Sequence, residues 1–347
     1  MEKSSKIFVA GHNGLVGSAI VKNLNQKGFT NIITKTRGEL NLTNTTDVNN
    51  FFETEKPEYI FLAAAKVGGI IANNVYRADF IYENLMIQNN VIHQSYVHDV
   101  KKLLFLGSTC IYPKNCPQPM KEEYLLTDEL EYTNEPYAIA KISGIKMCES
   151  YNIQYNTNFI SVMPTNLYGP NDNFDLEKSH VLPALLRKVH LAKLLSENNT
   201  KALLLDLKVN SIEEANIILE KHKISKNSVE IWGSGAPMRE FLWSEDMADA
   251  CVFIMENRDF TDCYTNPRNI KNTHINIGTG KDISIKDLAY LIKDIVGYKG
   301  DFVFNTEKPD GTLKKLTDCT KLNSLGWKHK IELADGIEKM YRWYLEK

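Results

Sequence analysis

A tyrosine and a lysine spaced for proton transfer are the most informative residues in this chain. Tyr137 and Lys141 are four residues apart, so on a helix both side chains project from the same face. The ammonium would stabilise a phenolate and lower the tyrosine pKa toward neutral pH, which would let the phenol exchange a proton with a substrate oxygen. Ser108 and Cys110 precede the pair. Because such a pair also arises by chance in many chains, the elements that would position it must support this interpretation.

A glycine-rich segment separates the first predicted strand from the first predicted helix. The strand is Ile7–Ala10, and the helical pattern extends through Leu24. Glycine permits a tight turn and a close approach to a pyrophosphate, and a helix start offers unpaired N–H groups. An ordinary turn is the alternative, but the position after the first strand favours a dinucleotide site. The predicted cofactor-binding residues of this loop are Gly11, Asn13, Gly14, Leu15, Val16 and Gly17.

An arginine after the second predicted strand favours NADP over NAD. An NAD enzyme carries an acidic residue here that binds the ribose 2′-hydroxyl, whereas an arginine accommodates a 2′-phosphate. Arg37 stands at this point and Glu39 lies close by. Arg37 could also be a solvated loop residue. We predict NADPH as the hydride donor, with Arg37 as a cofactor-binding residue.

Apolar segments alternate with helical patterns through the first half of the chain. The predicted strands are Ile7–Ala10, Ile32–Thr34, Tyr59–Ala65, Lys102–Gly107 and Phe159–Met163, with helices such as Phe80–His98 and Pro136–Tyr155 between them. This order predicts an α/β fold with a Rossmann-type, doubly wound parallel sheet. After Pro170 the pattern changes, which predicts a smaller α+β substrate-binding lobe. Its predicted elements include helices His180–Leu195, Ile285–Val296 and Leu333–Leu345 and the strand Glu230–Trp232. A further strand is predicted at His274–Ile277.

The composition argues against several classes of function. Lys and Arg number 41 against 43 Asp and Glu, a net charge of -2, so no basic excess favours nucleic acid or an anionic membrane. No secretory signal and no apolar run of about 18 residues is evident. The six cysteines show no C-x-x-C pair or zinc spacing, so we predict no metal site. Unbridged thiols fit a reducing cytoplasm.

Several long motifs resemble the extended short-chain dehydrogenase/reductase superfamily. Besides the glycine loop, they are Leu106-Gly107-Ser108-Thr109-Cys110-Ile111-Tyr112-Pro113, Tyr137-Ala138-Ile139-Ala140-Lys141 and Pro164-Thr165-Asn166-Leu167-Tyr168-Gly169-Pro170. Finer motifs resemble one branch, the GDP-L-fucose synthase (GDP-4-keto-6-deoxymannose 3,5-epimerase/4-reductase) family. These are Ala63-Ala64-Ala65-Lys66-Val67-Gly68-Gly69-Ile70, Asn134-Glu135-Pro136-Tyr137, Asn171-Asp172-Asn173-Phe174, Trp232-Gly233-Ser234-Gly235, Met238-Arg239-Glu240-Phe241 and Lys308-Pro309-Asp310-Gly311-Thr312.

The resemblance implies a role for each catalytic residue. Tyr137 would protonate the substrate O4 as NADPH delivers hydride to C4, and Ser108 would hydrogen-bond the same oxygen. Lys141 would hold the nicotinamide ribose and lower the Tyr137 pKa. Cys110 and His180 would be the base and acid that move protons at C3 and C5, since a 4-keto group acidifies both C–H bonds. The further cofactor-binding residues implied are Leu106, Gly107, Lys141, Pro164, Asn166, Leu167 and His180.

The resemblance also implies a substrate site for a GDP-linked 4-keto sugar. Lys188, Trp232 and Arg239 match positions that contact the GDP part, and Ser108 contacts the sugar. The forked guanidinium of Arg239 suits a diphosphate, while Trp232 could stack on a base or fill the core of the lobe. Lys188 replaces an arginine common in the family.

Other departures from the family pattern leave the sugar open. Asn13 stands where some relatives have arginine, and Asp301 stands where a basic residue can assist binding. The insertion at about 193–228, which we interpret as a solvated helical appendage, lies close in sequence to the substrate contacts.

We therefore expect two interleaved domains and an enzyme that works on nucleotide sugars. Residues 1–168 and 241–276 would bind NADP, and residues 169–240 and 277–347 would form the substrate lobe. The expected reaction is C3/C5 epimerisation and C4 reduction of a GDP-4-keto-6-deoxy sugar in making a surface-glycan precursor. A C4 reductase of a GDP-4-keto-heptose or GDP-4-keto-6-deoxy sugar, without epimerase activity, is the alternative. A cofactor-binding protein that has lost catalysis is disfavoured by the intact motifs. Family members are commonly homodimers.

Overall fold

The computed structural model describes residues 1–308 and 310–347. Pro309, part of one family motif, lies outside the described residues. The chain divides into two compact units. The first unit comprises Met1–Asn171, Glu240–Gly280 and Leu316–Ile331, and the second comprises Asp172–Arg239, Lys281–Lys315 and Glu332–Lys347.

Strands and helices alternate along much of the chain. The strands are β1 Ile7–Ala10, β2 Ile32–Ile33, β3 Tyr59–Leu62, β4 Lys102–Leu106, β5 Phe159–Pro164, β6 Asn166–Tyr168, β7 Ser228–Trp232, β8 Met238–Trp243, β9 Ile275–Ile277, β10 Asp282–Ser284, β11 Asp301–Asn305 and β12 Lys314–Lys315. The helices are α1 Leu15–Gln26, α2 Thr45–Glu55, α3 Ile70–Val75, α4 Arg77–Val97, α5 Glu135–Tyr155, α6 Val181–Ser196, α7 Thr200–Leu207, α8 Ile212–Lys221, α9 Ser244–Asn257, α10 Ile285–Val296, α11 Thr320–Ser324 and α12 Leu333–Glu346. Short 3-10 helices occupy Thr109–Ile111, Glu122–Tyr124, Tyr132–Asn134 and Phe260–Cys263.

The first unit is built on a six-stranded parallel sheet in the order β2-β1-β3-β4-β5-β9. Alternate side chains of β1 serve two cores. Ile7 and Val9 pack with α1 and α9, whereas Phe8 and Ala10 pack with α2, α4 and α5. Because both faces are covered by helices, the strands are mostly apolar, as is typical of parallel sheets. The predicted doubly wound parallel sheet is confirmed.

The strand order reverses between β1 and β3, and in such sheets ligands bind at that point, beyond the carboxyl ends of the strands. The glycine loop follows β1 there. The chain after β3 was predicted to stay extended to Ala65, but the strand ends at Leu62. A buried asparagine explains the difference. Asn84 of α4 accepts from the backbone N–H of Lys66 (2.9 Å) and donates to its carbonyl (3.0 Å), which holds a loop instead.

The second unit contains helices of the insertion as well as a small parallel ribbon. β7 pairs with β11 along its whole length, and β12 pairs with Met238–Arg239 of β8. The insertion forms the end of α6 together with α7 and α8. Ser211 caps α8 by accepting from the Glu214 N–H (3.2 Å), and the Glu214 carboxylate accepts from the Asn210 N–H (2.9 Å).

One segment lies in a different unit from the one predicted. Residues 277–347 were expected to belong together to the substrate lobe, whereas Leu316–Ile331 belongs to the first unit. Leu322 and Trp327 are buried in the core beside α9, and the Trp327 indole donates to Asp249 (3.1 Å). This burial draws the segment back to the sheet. The assignment of cofactor and substrate binding to the two domains stays a prediction.

Within the described ranges, no helix combines the length and the apolar character needed to cross a membrane. The same residues contain no group of three or more His, Cys, Asp or Glu side chains that could hold a metal ion.

Candidate active site

The turn after β4 carries two of the predicted catalytic residues. Leu106 ends the strand, Gly107 follows, and Ser108 is the N-cap of the 3-10 helix Thr109–Ile111. The Ser108 hydroxyl accepts from the Cys110 N–H at 3.3 Å. The serine hydroxyl and the cysteine thiol are therefore held on one short turn, and both residues are half-buried.

Helix α5 brings Tyr137 and Lys141 to this turn. Both lie in its first two turns, with Pro136 in the first turn, where a missing N–H costs nothing. Lys141 is buried, and its Nζ donates to the Leu106 carbonyl at 2.7 Å. The same Nζ lies 5.7 Å from the Tyr137 ring centroid and 4.8 Å from that of Phe105. The ammonium is thus placed between the strand end and the tyrosine.

The protein around Tyr137 shifts its acidity in the direction opposite to that predicted. Burial raises the pKa of the Tyr137 phenol well above its usual range, and a hydrogen bond with Ser108 only partly offsets this. Burial lowers the pKa of Lys141 to about 8. The predicted net lowering of the tyrosine pKa is therefore wrong for this structure. The cost of placing a phenolate away from water dominates.

Cys110 is electrostatically coupled to both of these residues. A negative charge on its sulfur raises the pKa of Tyr137 and also that of Lys141. Like charges disfavour a second anion nearby, whereas an anion favours a neighbouring ammonium. The four predicted residues of the first unit, Ser108, Cys110, Tyr137 and Lys141, therefore form one coupled cluster.

The glycine loop is shaped by two close backbone approaches. A methyl group at Gly11, whose φ is +88°, would lie 2.7 Å from the Ala64 nitrogen, and one at Gly17 would lie 2.1 Å from the Gly11 oxygen. Gly14 is exposed, and a methyl group there would meet nothing closer than 3.5 Å. Gly14 is also the N-cap of α1, with no side-chain cap and no acidic residue in the first turn. The helix start therefore presents N–H groups that suit an anion.

The remaining loop residues surround this helix start. Asn13 is exposed, and Leu15 and Val16 are half-buried in the first turn of α1.

Arg37 and Glu39 have different environments after β2. The Glu39 carboxylate accepts from both the backbone N–H and the hydroxyl of Thr36, each at 2.7 Å, which lowers the pKa of Glu39. The Oε2 atom of Glu39 is therefore occupied in the turn. Arg37 is exposed over 78% of its side chain, and its only ion pair found in the described chain is with Glu83, at 3.5 Å. A guanidinium in this state can accept a phosphate partner.

The predicted nicotinamide-lining segment continues from β5 into β6. Pro164 ends β5 opposite Ile277, and Asn166 begins β6. The Asn166 amide donates to the Glu240 carbonyl at 2.8 Å, and Leu167 packs against the core. Backbone pairing and side-chain hydrogen bonds to the Glu240 carbonyl therefore fix this segment.

Two predicted residues of the second unit lie on α6. His180 is the N-cap residue and is exposed, although nearby protein atoms lower the pKa of its imidazole. Lys188 is half-buried, and its Nζ donates to the Glu230 carbonyl at 3.4 Å. Burial lowers the pKa of Lys188.

The other predicted substrate residues are held by the loop at Asp310. The Asp310 carboxylate accepts from the N–H (2.9 Å) and hydroxyl (2.6 Å) of Ser234, which fixes the turn after Trp232. Trp232 is 56% exposed, with the Lys308 Nζ 5.5 Å from its ring centroid. Trp232 therefore does not fill the core of the lobe. Arg239 is half-buried and donates to the Thr312 carbonyl at 2.6 Å.

Sequence reasoning missed two buried polar residues of α4 that support the site. Asn84 holds the loop after β3, and Gln88 donates to the Ala140 carbonyl at 2.6 Å, between Tyr137 and Lys141. Asn84 and Gln88 are four residues apart, so they share one face of the helix. Polar residues repeated on a helix face that packs on a sheet are the signal that could have revealed them.

This architecture matches a known family along most of the chain. Residues 7–278 match the NAD dependent epimerase/dehydratase family. The chain belongs to this family. GDP-L-fucose synthase 1 of Arabidopsis thaliana is 53% identical over 345 residues, which cover 99% of this chain and 94% of that protein. The predicted resemblance to the GDP-L-fucose synthase family is confirmed.

Two solved structures share the fold of this chain at high sequence identity. A GDP-6-OMe-4-keto-L-xylo-heptose reductase from C. jejuni is 57% identical with a TM-score of 0.97, over 100% of this chain and 99% of that chain. A GDP-mannoheptose C4 reductase from Campylobacter jejuni with NADP bound is 56% identical with a TM-score of 0.90, over 99% of both chains.

Proposed function

We propose that the protein is an NADPH-dependent nucleotide-sugar oxidoreductase that epimerises C3 and C5 and reduces C4 of a GDP-4-keto-6-deoxy sugar. The product would be a GDP-L-fucose-type precursor of surface glycans. The observation that carries this proposal is the convergence of Ser108, Cys110, Tyr137 and Lys141 at the end of β4. The 53% identity to a GDP-L-fucose synthase supports the substrate class.

The glycine loop fits a dinucleotide. The close approaches at Gly11 and Gly17 and the open backbone at Gly14 form a cradle for a pyrophosphate at the start of α1. Arg37 would bind the 2′-phosphate, and the relative with NADP bound supports this choice of cofactor. Bound NADPH would supply the hydride that reduces C4.

Tyr137 would donate the proton that completes the reduction. As C4 accepts hydride, O4 becomes an alkoxide, which is a stronger base than a phenolate and takes the phenol proton. The raised pKa of Tyr137 keeps the phenol protonated and ready to donate. Ser108 would hydrogen-bond O4, and the Lys141 ammonium would stabilise the phenolate left behind.

Cys110 and His180 would act before the reduction. The 4-keto group acidifies the C3–H and C5–H bonds, so one residue can remove a proton from one face while the other returns a proton to the opposite face. The lowered pKa of His180 favours the neutral imidazole, which suits His180 to the accepting role and would leave the Cys110 thiol to return the proton, the reverse of the order that the resemblance implies. Lys188, Trp232 and Arg239 would hold the GDP part through charge and base stacking.

A second candidate is C4 reduction without epimerisation, on a GDP-4-keto-heptose. Two relatives at 57% and 56% identity are GDP-heptose reductases by name. Retention of Cys110 and His180 is compatible with this candidate as well, because these residues permit epimerisation without requiring it.

Solvent exchange separates the two candidates. The wild-type protein is incubated in D₂O with GDP-4-keto-6-deoxymannose or a GDP-4-keto-heptose, first without and then with NADPH, and the product is analysed by NMR. Deuterium at C3 and C5 and inverted stereochemistry support the epimerase-reductase. Cys110→Ser should block this exchange and spare direct C4 reduction. Reduction without exchange in the wild type would favour the second candidate, and no turnover of either sugar would contradict both.

We further propose a homodimer that works in the cytoplasm. The cysteines form no disulfide among the described residues, which fits a reducing compartment. Sedimentation at several protein concentrations tests the assembly, and a monomer throughout would contradict it.

A further inference from the structure

The buried carboxylate of Glu240 binds three backbone N–H groups from two distant segments. Its side chain is wholly buried. Oε1 accepts from Thr279 at 2.5 Å and from Gly280 at 2.7 Å, and Oε2 accepts from Thr317 at 2.9 Å. A buried carboxylate is expensive unless hydrogen bonds satisfy its oxygens, and here backbone donors do so.

These partners lie where the chain passes between its two units. Arg239 is the last residue of one stretch of the second unit, and Glu240 is the first residue of the next stretch of the first. Gly280 is the last residue before the chain leaves the first unit, and Thr317 is the second residue after it returns at Leu316. The Glu240 carboxylate therefore links three points of the first unit at which the chain enters or leaves it: Glu240 itself, Thr279–Gly280 and Thr317.

The backbone of Glu240 also fixes the predicted nicotinamide-lining segment. Its carbonyl accepts from the Asn166 amide at 2.8 Å and from the Thr165 hydroxyl at 3.4 Å. The next residue, Phe241, pairs with Asn166 in the sheet. The position of Asn166 thus depends on where the Glu240 backbone lies.

The preceding residue is the predicted diphosphate ligand. The Arg239 guanidinium donates to the Thr312 carbonyl, and the Arg239 backbone pairs with Lys315. The stretch of chain around residues 312–317 is therefore bound at two points. Arg239 binds it at Thr312, and Glu240 binds it at Thr317. Moving the Glu240 carboxylate would disturb both the backbone that carries Arg239 and the segment that carries Asn166.

A neighbouring glycine leaves room for this carboxylate. A methyl group at Gly278 would lie 2.3 Å from Glu240 Oε1. An alanine at residue 278 would therefore displace the carboxylate from its N–H partners without altering Glu240 itself.

We propose that Glu240 is a positioning residue, which locks the backbone of the diphosphate-binding Arg239 to the nicotinamide-lining Thr165–Asn166 segment. This inference rests on the proposed function for the identity of the two ligands. Because its side chain is wholly buried, Glu240 would touch neither ligand. Its effect on turnover passes through the residues that it holds.

Glu240→Gln is the most specific variant because it disrupts only the hydrogen bond with the Thr317 N–H. The amide oxygen can still accept from Thr279 and Gly280, but the amide nitrogen faces the Thr317 N–H with a donor. Gly278→Ala is the second variant. Glu149→Gln is the matched control, since Glu149 is also buried in the first unit and accepts from the Thr273 N–H (3.4 Å), away from the passages.

The expected result is local and selective. Hydrogen–deuterium exchange by mass spectrometry should quicken in peptides that cover 314–319 in Glu240→Gln and not in Glu149→Gln. By calorimetry, the Kd for GDP should rise on the order of tenfold. The Kd for NADP should stay within about twofold, because the glycine loop and Arg37 that would hold its phosphates are untouched. Displacement of Asn166 would instead misplace the nicotinamide and act on kcat. With a GDP-4-keto sugar and NADPH, kcat should fall on the order of tenfold.

Several outcomes would overturn the proposal. Wild-type GDP affinity and wild-type hydrogen exchange in Glu240→Gln and Gly278→Ala would do so. An equal loss of GDP affinity in Glu149→Gln would also do so, since it would indicate a general effect on stability. If the wild-type protein turns over no GDP-4-keto sugar, the proposed function fails, and GDP affinity and exchange still decide the positioning role.

Discussion

The Nζ atom of Lys141 lies 2.7 Å from the carbonyl oxygen of Leu106, the last residue of the central strand β4. This hydrogen bond fixes the ammonium at the carboxyl end of the sheet, beside Tyr137 and over the ring of Phe105. Burial lowers the pKa of Lys141 to about 8, so the charge is held at a cost to the fold. A cost of this kind is expected of a group retained for chemistry.

Replacing Lys141 by methionine should remove a pH dependence of stability. Between about 8 and the ordinary lysine value of 10.5, the folded chain binds fewer protons at this site than the unfolded chain. The wild-type free energy of unfolding should therefore rise with pH in that window, on the order of 3 kcal/mol in all. Lys141→Met should lack this rise and should lose C4 reduction.

Urea unfolding of both proteins at about pH 7.5 and about pH 9.5 measures the difference. Lys146→Met, a change on the same helix at a partly exposed position, should leave the wild-type rise in place. An unchanged rise in Lys141→Met would contradict the assignment of the buried charge.

Replacing Tyr137 by phenylalanine should abolish C4 reduction while keeping the fold. The ring makes an edge contact with Phe80, with centroids 6.4 Å apart, which phenylalanine preserves. Loss of the phenol removes the proton donor, so NADPH oxidation should fall by about a thousandfold or more. Because burial raises the pKa of Tyr137, wild-type activity should show no loss from tyrosine ionisation near neutral pH.

Steady-state kinetics across the neutral range, together with circular dichroism of the variant, tests both statements. Tyr132→Phe, at a largely exposed tyrosine, is the matched control and should retain activity. Appreciable turnover by Tyr137→Phe would exclude the tyrosine as the donor.

The sheet and the cluster around Tyr137 were predictable because their signals are local. Apolar runs mark the strands, and four-residue spacing places Tyr137 and Lys141 on one face of α5. The pKa direction of Tyr137 was not predictable, because it depends on how much protein surrounds the phenol and on the Cys110 sulfur nearby. The residues next to Tyr137 in the sequence indicate neither of these.

Long-range packing also decided the features that sequence patterns did not reveal. The return of Leu316–Ile331 to the first unit depends on the burial of Trp327 beside α9. The ties of Glu240 reach residues about 40 and 77 positions away. Such contacts exist only after the chain has folded, so one sequence without relatives carries no sign of them.

Replacing Arg37 by alanine should weaken NADPH selectively. The side chain is mostly exposed and is paired only with Glu83 in the described chain, so its removal costs little stability. Loss of a charged hydrogen bond to the 2′-phosphate should raise the KM for NADPH about tenfold and leave the KM for NADH unchanged. The effect should shrink at high ionic strength, because exposed charges are screened.

Glu83→Gln is the matched control for Arg37. It removes the competing carboxylate at 3.5 Å and should lower the KM for NADPH or leave it unchanged. Equal losses for NADPH and NADH in Arg37→Ala would show that Arg37 does not read the 2′-phosphate.

Asp206 should anchor the inserted helices to the second unit. Arg187 of α6 donates to the Asp206 carboxylate at 2.9 Å and to its carbonyl at 2.8 Å, and the Tyr344 hydroxyl donates to the same carboxylate. The Asp206 and Arg187 side chains are only 12% and 18% exposed. Asp206→Ala would leave a mostly buried guanidinium without its anion, so the free energy of unfolding should fall by about 3 kcal/mol.

Glu220→Ala, an exposed change on α8, is the control and should shift the free energy of unfolding by less than about 0.5 kcal/mol. Urea unfolding followed by tryptophan fluorescence measures both. Equal stability of the two variants would mean that the insertion is held by apolar packing alone.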